Sequence, residues 1–232
     1  MIKKYGVSLS FLVVGLAVLL NGCASTGGPM SGDDRAALAN MSQVRVLYYG
    51  DTFPSVKTAA GVATAEITLG VSTLGEDWTV GQKMMKKYNV PNPTRTIRDR
   101  FIRQVKSESG IKKFVGPNKP ANYKTERKVE DLQAKYKTGV VLQVMPGQFQ
   151  IWYYPTNWAR YNMMFTSWAQ LVRLDDGKIL WKAGCNANQK DKKNAPTMDE
   201  LTADNSVVLK NWVDKATREC SEQLANSFLG KV

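Results

Sequence analysis

Few side chains in this 232-residue sequence have the types and spacing that catalysis or metal binding requires. Histidine, the commonest general base and metal ligand, does not occur, so a Ser/His/Asp triad is impossible. No glycine-rich stretch has the spacing of a phosphate-binding or dinucleotide-binding loop. Asp175 and Asp176 are adjacent carboxylates, but they precede Gly177, a pattern typical of a tight turn. We therefore predict a protein that is not an enzyme and needs no cofactor or metal; the alternative is a hydrolase that uses carboxylates alone.

The N-terminus has the pattern of an export signal. Lys3 and Lys4 provide a positive start, and the apolar run that follows, about 14 residues long, is too short to span a bilayer. The segment Leu20-Asn21-Gly22-Cys23 comes next, and this order resembles the lipobox of bacterial lipoproteins. The resemblance implies that residues 1–22 are a lipoprotein signal peptide and that Cys23 is diacylated and becomes the new N-terminus. The alternative is an ordinary signal peptide followed by a chance cysteine.

A lipid at Cys23 would place the mature chain in the cell envelope. Each buried methylene contributes about 0.8 kcal/mol to membrane binding, and two acyl chains anchor a protein durably where one does not. Ala24, and not aspartate, follows the cysteine, as in lipoproteins that are sent to the outer membrane. We therefore expect a location on the periplasmic face of the outer membrane. The membrane would be a partner through the N-terminal lipid, and export argues against a nucleic-acid partner.

The two remaining cysteines are predicted to form a disulfide. Once Cys23 carries lipid, Cys185 and Cys220 are the only pair in an oxidising compartment. Strand alternation places Cys185 on the same face as Trp181, and helical spacing places Cys220 on an apolar stripe with Leu224. Two independent periodicities therefore direct both sulfurs into one interface, as a disulfide between a helix and a sheet requires. The alternative is two buried free thiols.

Composition divides the mature chain into a tether and one domain. Residues 23–42 begin small, polar and glycine-rich, and we predict a flexible tether there. Residues 43–232 are long enough for a single domain with a substantial core, with an insertion at about 56–92. Within the insertion, residues 56–81 combine small and apolar side chains with glycines. Two interpretations stay open: a segment that packs on a neighbouring subunit or touches lipid, and an irregular, partly buried loop of the same domain.

Hydrophobic periodicity predicts an α/β fold. The predicted strands are 44–49, 111–115, 139–145 with an extension over 149–154, 161–174 and 179–183. The predicted helices follow Pro93, span 126–136 and begin at Thr197. A polar linker is predicted over 186–195, and the last helix carries an apolar stripe from Leu209 to Phe228. We expect a mixed sheet of about five strands covered by helices, with a long C-terminal helix.

Two segments resemble a known family at the level of motif. The strand Gly139–Val144 and the hairpin within Trp168–Trp181 resemble those of the curli-secretion lipoproteins, which share the N-terminal fold of the translocation protein TolB. Their relatives include lipoproteins that activate peptidoglycan synthases and others that form rings for polysaccharide export. The resemblance implies the anticodon-binding-like topology of the TolB N-terminal domain over about 43–228. No pore activity is carried over, because residues 56–92 alternate too poorly to predict strands of a barrel.

Positive charge is concentrated in one part of the chain. Between Lys83 and Lys137 the sequence has 16 basic and five acidic residues, and the rest of the mature chain is nearly neutral. Such a segment could bind lipopolysaccharide, phospholipid headgroups or an acidic glycan. The predicted anion-binding residues are Arg95, Arg98, Arg103, Lys112, Lys113 and Lys128. The alternative is an ordinary solvated face of two helices.

Aromatic residues cluster around one predicted turn. Trp152, Tyr153 and Tyr154 precede Pro155, and Trp158 follows it. Exposed aromatic side chains beside a turn indicate a contact with protein or lipid. The alternative is that the same side chains belong to the core of the sheet.

The composition and motifs together favour a non-enzymatic envelope protein. Its expected role is assembly, secretion or envelope maintenance through contacts with envelope proteins or with copies of itself. The first alternative is a binding module for an anionic envelope ligand. The second is the carboxylate-dependent hydrolase, which in this location would act on cell-wall glycan.

Overall fold

The computed structural model describes residues 30–50, 52–58, 76–189 and 191–231. The signal peptide, the lipidation site Cys23, residues 24–29 and residues 59–75 of the insertion lie outside these ranges. What the sequence predicts for them stays a prediction.

Seven strands and six α-helices make up the described part of the chain. The helices are α1 Gly32–Ala39, α2 Trp78–Lys87, α3 Pro93–Val105, α4 Val129–Tyr136, α5 Met198–Thr202 and α6 Val207–Leu229. The strands are β1 Val44–Tyr48, β2 Ser55–Lys57, β3 Glu76–Asp77, β4 Phe114–Val115, β5 Val140–Tyr154, β6 Asn157–Arg173 and β7 Ile179–Asn188. The predicted α/β class, with a mixed sheet and a long C-terminal helix, is confirmed.

The sheet is organised around the 15-residue strand β5. Along one edge, β5 pairs antiparallel with β6, which pairs antiparallel with β7. Along the other edge, β5 pairs in parallel with β1 beside its first half and with β2 beside its second half. On this side the outermost strands are β4, parallel to β1, and β3, antiparallel to β2, while β7 is the outermost strand on the other side. The mixed character of the sheet therefore comes from β5, which joins a parallel edge to an antiparallel hairpin.

A bulge between Pro146 and Phe149 divides β5 into two halves. Val144 before the bulge and Phe149 after it both face the main hydrophobic core, because the bulge reverses which alternate side chains point inward. Gly147 lies against β6 at this point, and a Cβ atom there would lie 2.4 Å from the Thr166 hydroxyl oxygen. The bulge therefore requires a glycine.

Helices cover both faces of the sheet. On the main face, Phe101 of α3 packs between Trp181 of β7 and Phe228 of α6. On the second face, Leu132 of α4 belongs to a smaller buried cluster with Leu47 and other strand residues. The predicted disulfide is present: Cys185 of β7 and Cys220 of α6 are bonded, with their Cα atoms 5.0 Å apart.

The second part of the predicted tether is a helix. Ser31 caps α1 by accepting a hydrogen bond from the Asp34 amide, and Leu38 is buried in the main core. Asp34 also forms an ion pair of 2.8 Å with Lys178, the last residue of the turn before β7. A capping serine, two acidic residues and a run of alanine and leucine favour a helix, which the preceding glycine-rich segment obscures. Because α1 belongs to the domain, only the stretch between Cys23 and Met30 separates the predicted lipidation site from the described residues. Fully extended, that stretch would reach about 25 Å.

Other boundaries also differ from the sequence prediction. Residues 78–87 of the predicted insertion form α2, whose Met84 and Met85 pack into the main core. The predicted linker begins later than expected, because β7 continues to Asn188 with Ala187 buried and its neighbours exposed. The alternation of inward and outward side chains thus extends through residues whose polarity indicates a loop.

The strand directions define two ends of the molecule. The proximal end holds the start of β5, the turn 174–178 and the start of α1, which the Asp34–Lys178 ion pair fixes there. The distal end holds the turn between β5 and β6 at Pro155 and Thr156. Fifteen residues of strand separate the two ends by about 50 Å.

Candidate functional site

The six predicted anion-binding residues do not form one site. Arg98 is buried in α3, where its guanidinium lies 4.4 Å from the centre of the Tyr48 ring, donates to the Pro117 carbonyl oxygen and pairs with Asp99 at 2.7 Å. Each of its three guanidinium nitrogens therefore already has a partner inside the protein, and anion binding by Arg98 stays a prediction. The other five, Arg95, Arg103, Lys112, Lys113 and Lys128, are exposed. Arg95 and Arg103 belong to α3, whereas Lys128 precedes α4 on the opposite face of the sheet.

A different group of basic residues meets in a cleft on the second face. We name it the Arg45 cleft; it has a volume of about 510 Å³ and lies between the segment after β4 and the C-terminal end of α4. Its walls are formed by Arg45, Val115, Gly116, Pro117, Lys119, Pro120, Ala121, Glu126, Lys135 and Tyr136. The cleft therefore combines three cationic side chains with one carboxylate, one aromatic ring and apolar walls.

Arg45 reaches the cleft because of its place in β1. Val44 and Val46 point into the main core, so alternation directs Arg45 to the face that α4 covers. The backbone of Arg45 lies between Val115 of β4 and Val141 of β5. Its guanidinium stacks over the Tyr136 ring at 4.4 Å from the ring centre. Within the described ranges no hydrogen bond or ion pair occupies the five N–H donors of Arg45.

Glu126 is the one acid of the cleft, and its charge is balanced locally. Its carboxylate accepts hydrogen bonds from Lys135 Nζ and Tyr136 Oη, both at 2.8 Å, and from the Asn122 amide at 3.2 Å. Burial acts to raise the pKa of Glu126, but these hydrogen bonds outweigh it, and the pKa lies below its ordinary value. Glu126 is therefore ionised at neutral pH and pairs with Lys135, which leaves the charges of Arg45 and Lys119 uncompensated in the cleft.

A buried polar network fixes the position of Glu126. Its backbone carbonyl accepts hydrogen bonds from Tyr49 Oη at 2.6 Å and from Gln143 Nε2 at 3.0 Å. Gln143 in turn accepts one from Gln170 Nε2 at 2.7 Å. Burial raises the pKa of Tyr49 well above its ordinary value, so the hydroxyl remains protonated and can donate. The wall of the cleft is thereby attached to the first half of β5 and to the part of β6 that pairs with it.

Replacing Glu126 by glutamine is expected to lower stability at neutral pH by about 1–2 kcal/mol, because charged hydrogen bonds are lost. The folded-state pKa is lowered, so the carboxylate contributes stability above its unfolded pKa of about 4.3 and loses that contribution as the pH falls through the folded value. The variant should therefore lose less stability than the wild type between about pH 5 and about pH 3. Urea unfolding across this range measures the difference. Glu130→Gln, which changes an exposed acid in the first turn of α4, is the matched control; identical pH profiles for wild type and Glu126→Gln would contradict the assignment.

The predicted aromatic interface divides into exposed and buried side chains. Trp158 is 65% exposed, Trp152 and Tyr153 are partly buried, and Tyr154 is buried. The Trp158 indole donates to the Pro155 carbonyl oxygen at 3.0 Å and meets the Tyr153 ring edge-on at 6.3 Å between ring centres. Tyr154 is therefore a core residue, while Trp158 is held in one orientation at the distal turn.

Asp175 and Asp176 occupy the proximal turn. Asp176 accepts hydrogen bonds from the Arg173 guanidinium and from the Lys178 amide, and Gly177 has a φ of 72°. These bonds keep the pKa of Asp176 well below its ordinary value. The pair thus serves the turn, as its sequence indicates. In the part of the chain that the structure covers, no group of three histidine, cysteine or acidic residues could hold a metal ion.

Sequence reasoning missed the residues of the Arg45 cleft. Lys119, Lys135 and Tyr136 converge through the fold, and their spacing in the chain gives no sign of it. One signal was present: Arg45 is a charged residue inside an otherwise apolar strand, which places it on a face that must accommodate an ion. Because positions 45 and 136 are far apart in the sequence, the sequence does not predict that their side chains meet in one cleft.

No helix among the described residues has the length and hydropathy to cross a bilayer.

No protein-family model and no curated protein sequence matches this chain. Among solved structures, PelC from Paraburkholderia phytofirmans, which forms a dodecamer, is 10% identical with a TM-score of 0.35, covering 80% of this chain and 86% of its own. A hypothetical protein from Chlamydia trachomatis is 8% identical with a TM-score of 0.38, covering 80% and 96%. Lipoprotein GNA1162 from Neisseria meningitidis is 13% identical with a TM-score of 0.26, covering 75% and 99%. At these values no property of those proteins is transferred to this chain.

Proposed function

We propose that this chain is an exported, lipid-anchored envelope protein without catalytic activity, which binds another envelope protein through its distal end. The observation that carries the proposal is the distribution of exposed apolar side chains. Of the five large apolar residues exposed in the described ranges, only Ile179 lies at the proximal end; the others are Trp78, Trp158, Val207 and Val208.

The strand pairings place these four residues in the distal half. Trp78 follows β3, which reaches the second half of β5 through β2. Val207 and Val208 lie about one helical turn before Trp212, which stacks on Phe149 beyond the bulge. Trp158 follows the distal turn itself. An exposed tryptophan that is already fixed by neighbouring contacts loses little conformational entropy on binding, which suits it to a protein interface.

The proposed anchor lies toward the opposite end. The Asp34–Lys178 ion pair fixes the start of α1 at the proximal end, and a lipid on Cys23 would be no further than about 25 Å from Met30, just before that helix. Anchored in this way, the molecule can present its distal end to a partner while the proximal end stays near the bilayer. The lipobox-like segment and Ala24 support the finer part of the proposal, a location on the periplasmic face of the outer membrane.

Site-specific photo-crosslinking in the native envelope tests the proposal. A photoreactive residue at position 158 is expected to give a discrete crosslinked product, whereas one at position 179, an exposed apolar position at the other end, is not. Trp158→Ala should reduce recovery of the same partner about tenfold or more, since interface tryptophans commonly contribute at least about 2 kcal/mol. Ile179→Ala is the matched control. A mass equal to two copies of this chain would identify a homo-oligomer; equal crosslinking at both positions, or none at 158, would contradict the proposal.

A further inference from the structure

We propose that the Arg45 cleft binds a phosphate group carried by an envelope ligand. The cleft lies in the proximal half of the second face, so its binding of an anion does not depend on the distal protein contact. The Arg45 guanidinium lies over the Tyr136 ring, yet its N–H donors have no partner in the described ranges.

Stacking on Tyr136 prepares the guanidinium for an anion. The Tyr136 ring beneath the guanidinium carbon restricts its movement, while its N–H groups have no partner among the described residues. The Arg45 edge matches two oxygens of a phosphate or a carboxylate equally well in geometry. The choice between these two anions therefore rests on charge.

The charge of the cleft favours the phosphate. Lys135 is neutralised by Glu126 at 2.8 Å, and the hydrogen bonds that lower the pKa of Glu126 keep this pair ionised. Arg45 and Lys119 remain as two uncompensated cations on the walls. A phosphomonoester carries a charge of about −1.5 to −2 at neutral pH, which balances two cations, whereas a carboxylate balances one.

The shape and composition of the cleft admit more than a free ion. Its volume of about 510 Å³ is far larger than one phosphate group, and Val115, Pro117, Pro120 and Ala121 supply apolar wall. The ligand is therefore a phosphate ester whose body contacts these residues. Two sources share this phosphomonoester chemistry: a lipid whose headgroup is a phosphomonoester, such as phosphatidic acid, and a soluble sugar phosphate.

The position of the cleft makes a lipid headgroup accessible. Arg45 pairs with Val141, the second residue of β5, and Val140 faces Arg173 next to the proximal turn. Arg45 therefore lies at the proximal end, the end from which the chain leads back to Cys23. A headgroup in the bilayer surface is within reach of the cleft if that cysteine is acylated.

Calorimetric titration of the full, acylated chain in neutral detergent tests the proposal. The probes are glucose 1-phosphate, a short-chain phosphatidic acid below its micelle concentration, and acetate. Arg45→Met keeps the aliphatic stem over Tyr136 and removes the charge, and it is expected to weaken phosphate binding about tenfold or more. Lys119→Met, at an exposed position where folding is not at risk, should weaken binding several-fold. Arg218→Ala, which removes an exposed arginine of α6, is the matched control and should bind as the wild type does.

Each result bears on the inference. Binding of either phosphate probe that Arg45→Met weakens supports the site, and the probe with the higher affinity identifies the source as lipid or soluble ester. Unfolding temperatures of all variants are measured alongside, so a folding defect in Arg45→Met leaves Lys119→Met as the deciding variant. Equal binding by wild type and Lys119→Met, acetate binding as tight as phosphate binding, or no binding of either phosphate probe at millimolar concentration would overturn the proposal.

Discussion

Replacement of Cys185 and Cys220 together by alanine is expected to lower the free energy of unfolding by about 3–4 kcal/mol. The disulfide closes a loop of 35 residues and therefore restricts the unfolded chain. In the folded protein it is not the sole link between β7 and α6. Gln223 also joins them, since its side chain accepts from the Asn186 amide at 3.1 Å and donates to the Asn186 carbonyl at 3.0 Å. The native arrangement should therefore persist in the variant, with the loss arising chiefly from the greater entropy of the unfolded state.

Denaturant titration with and without a thiol reductant measures this effect. The wild type should lose stability on reduction to nearly the value of the Cys185→Ala/Cys220→Ala variant, and the variant itself should not respond to the reductant. This comparison separates the disulfide from the small volume change of the substitution, because only the wild type changes its covalent structure. A wild type whose midpoint is the same in both conditions would show that the bond does not contribute to stability.

Local sequence patterns predicted the central part of the fold well. The strands β5 to β7 and helices α3 and α6 carry long, regular alternation or an apolar stripe, and burial of one face enforces the structure that the pattern indicates. The disulfide followed from the same two periodicities, because Cys185 and Cys220 each lie on a buried face. Patterns of this kind reflect contacts with one continuous core.

Where the prediction differed, contacts distant in sequence decide the structure. Helix α1 is fixed by the ion pair between Asp34 and Lys178, which is more than a hundred residues away. The helix has few apolar residues, so its sequence does not predict that it packs on the core. Arg98, which was predicted to bind an anion, is buried beside the Tyr48 ring and donates to the Pro117 carbonyl oxygen. Arg45 received no role from the sequence and occupies the open cleft instead. A count of charges in a segment identifies how many cations are present, but the packing of separate elements determines which of them reach solvent.

Substitution of Phe101 by alanine is expected to destabilise the protein by about 3–5 kcal/mol. Phe101 is fully buried in α3, and its ring lies 5.8 Å from that of Trp181 and 5.4 Å from that of Phe228. Trp181 and Phe228 also meet edge-on at 5.1 Å, so the three rings join α3, β7 and α6. Removing the central ring leaves a cavity at the meeting point of three elements, none of which can collapse into it without separating from the other two.

The loss of unfolding free energy should come from removal of the Phe101 ring and not from any substitution in α3. Phe101→Leu retains much of the apolar volume and is expected to lose about 1–2 kcal/mol, while Arg103→Ala on the exposed side of α3 should remain within about 0.5 kcal/mol of the wild type. Urea unfolding followed by tryptophan fluorescence measures all three, and the near-ultraviolet circular dichroism should weaken in Phe101→Ala because Trp181 loses an aromatic neighbour. An equal loss of unfolding free energy in Phe101→Ala and Arg103→Ala would show that the three rings do not hold α3 and α6 on the sheet. The support for β1, and with it the position of Arg45, would then come from the neighbouring strands alone.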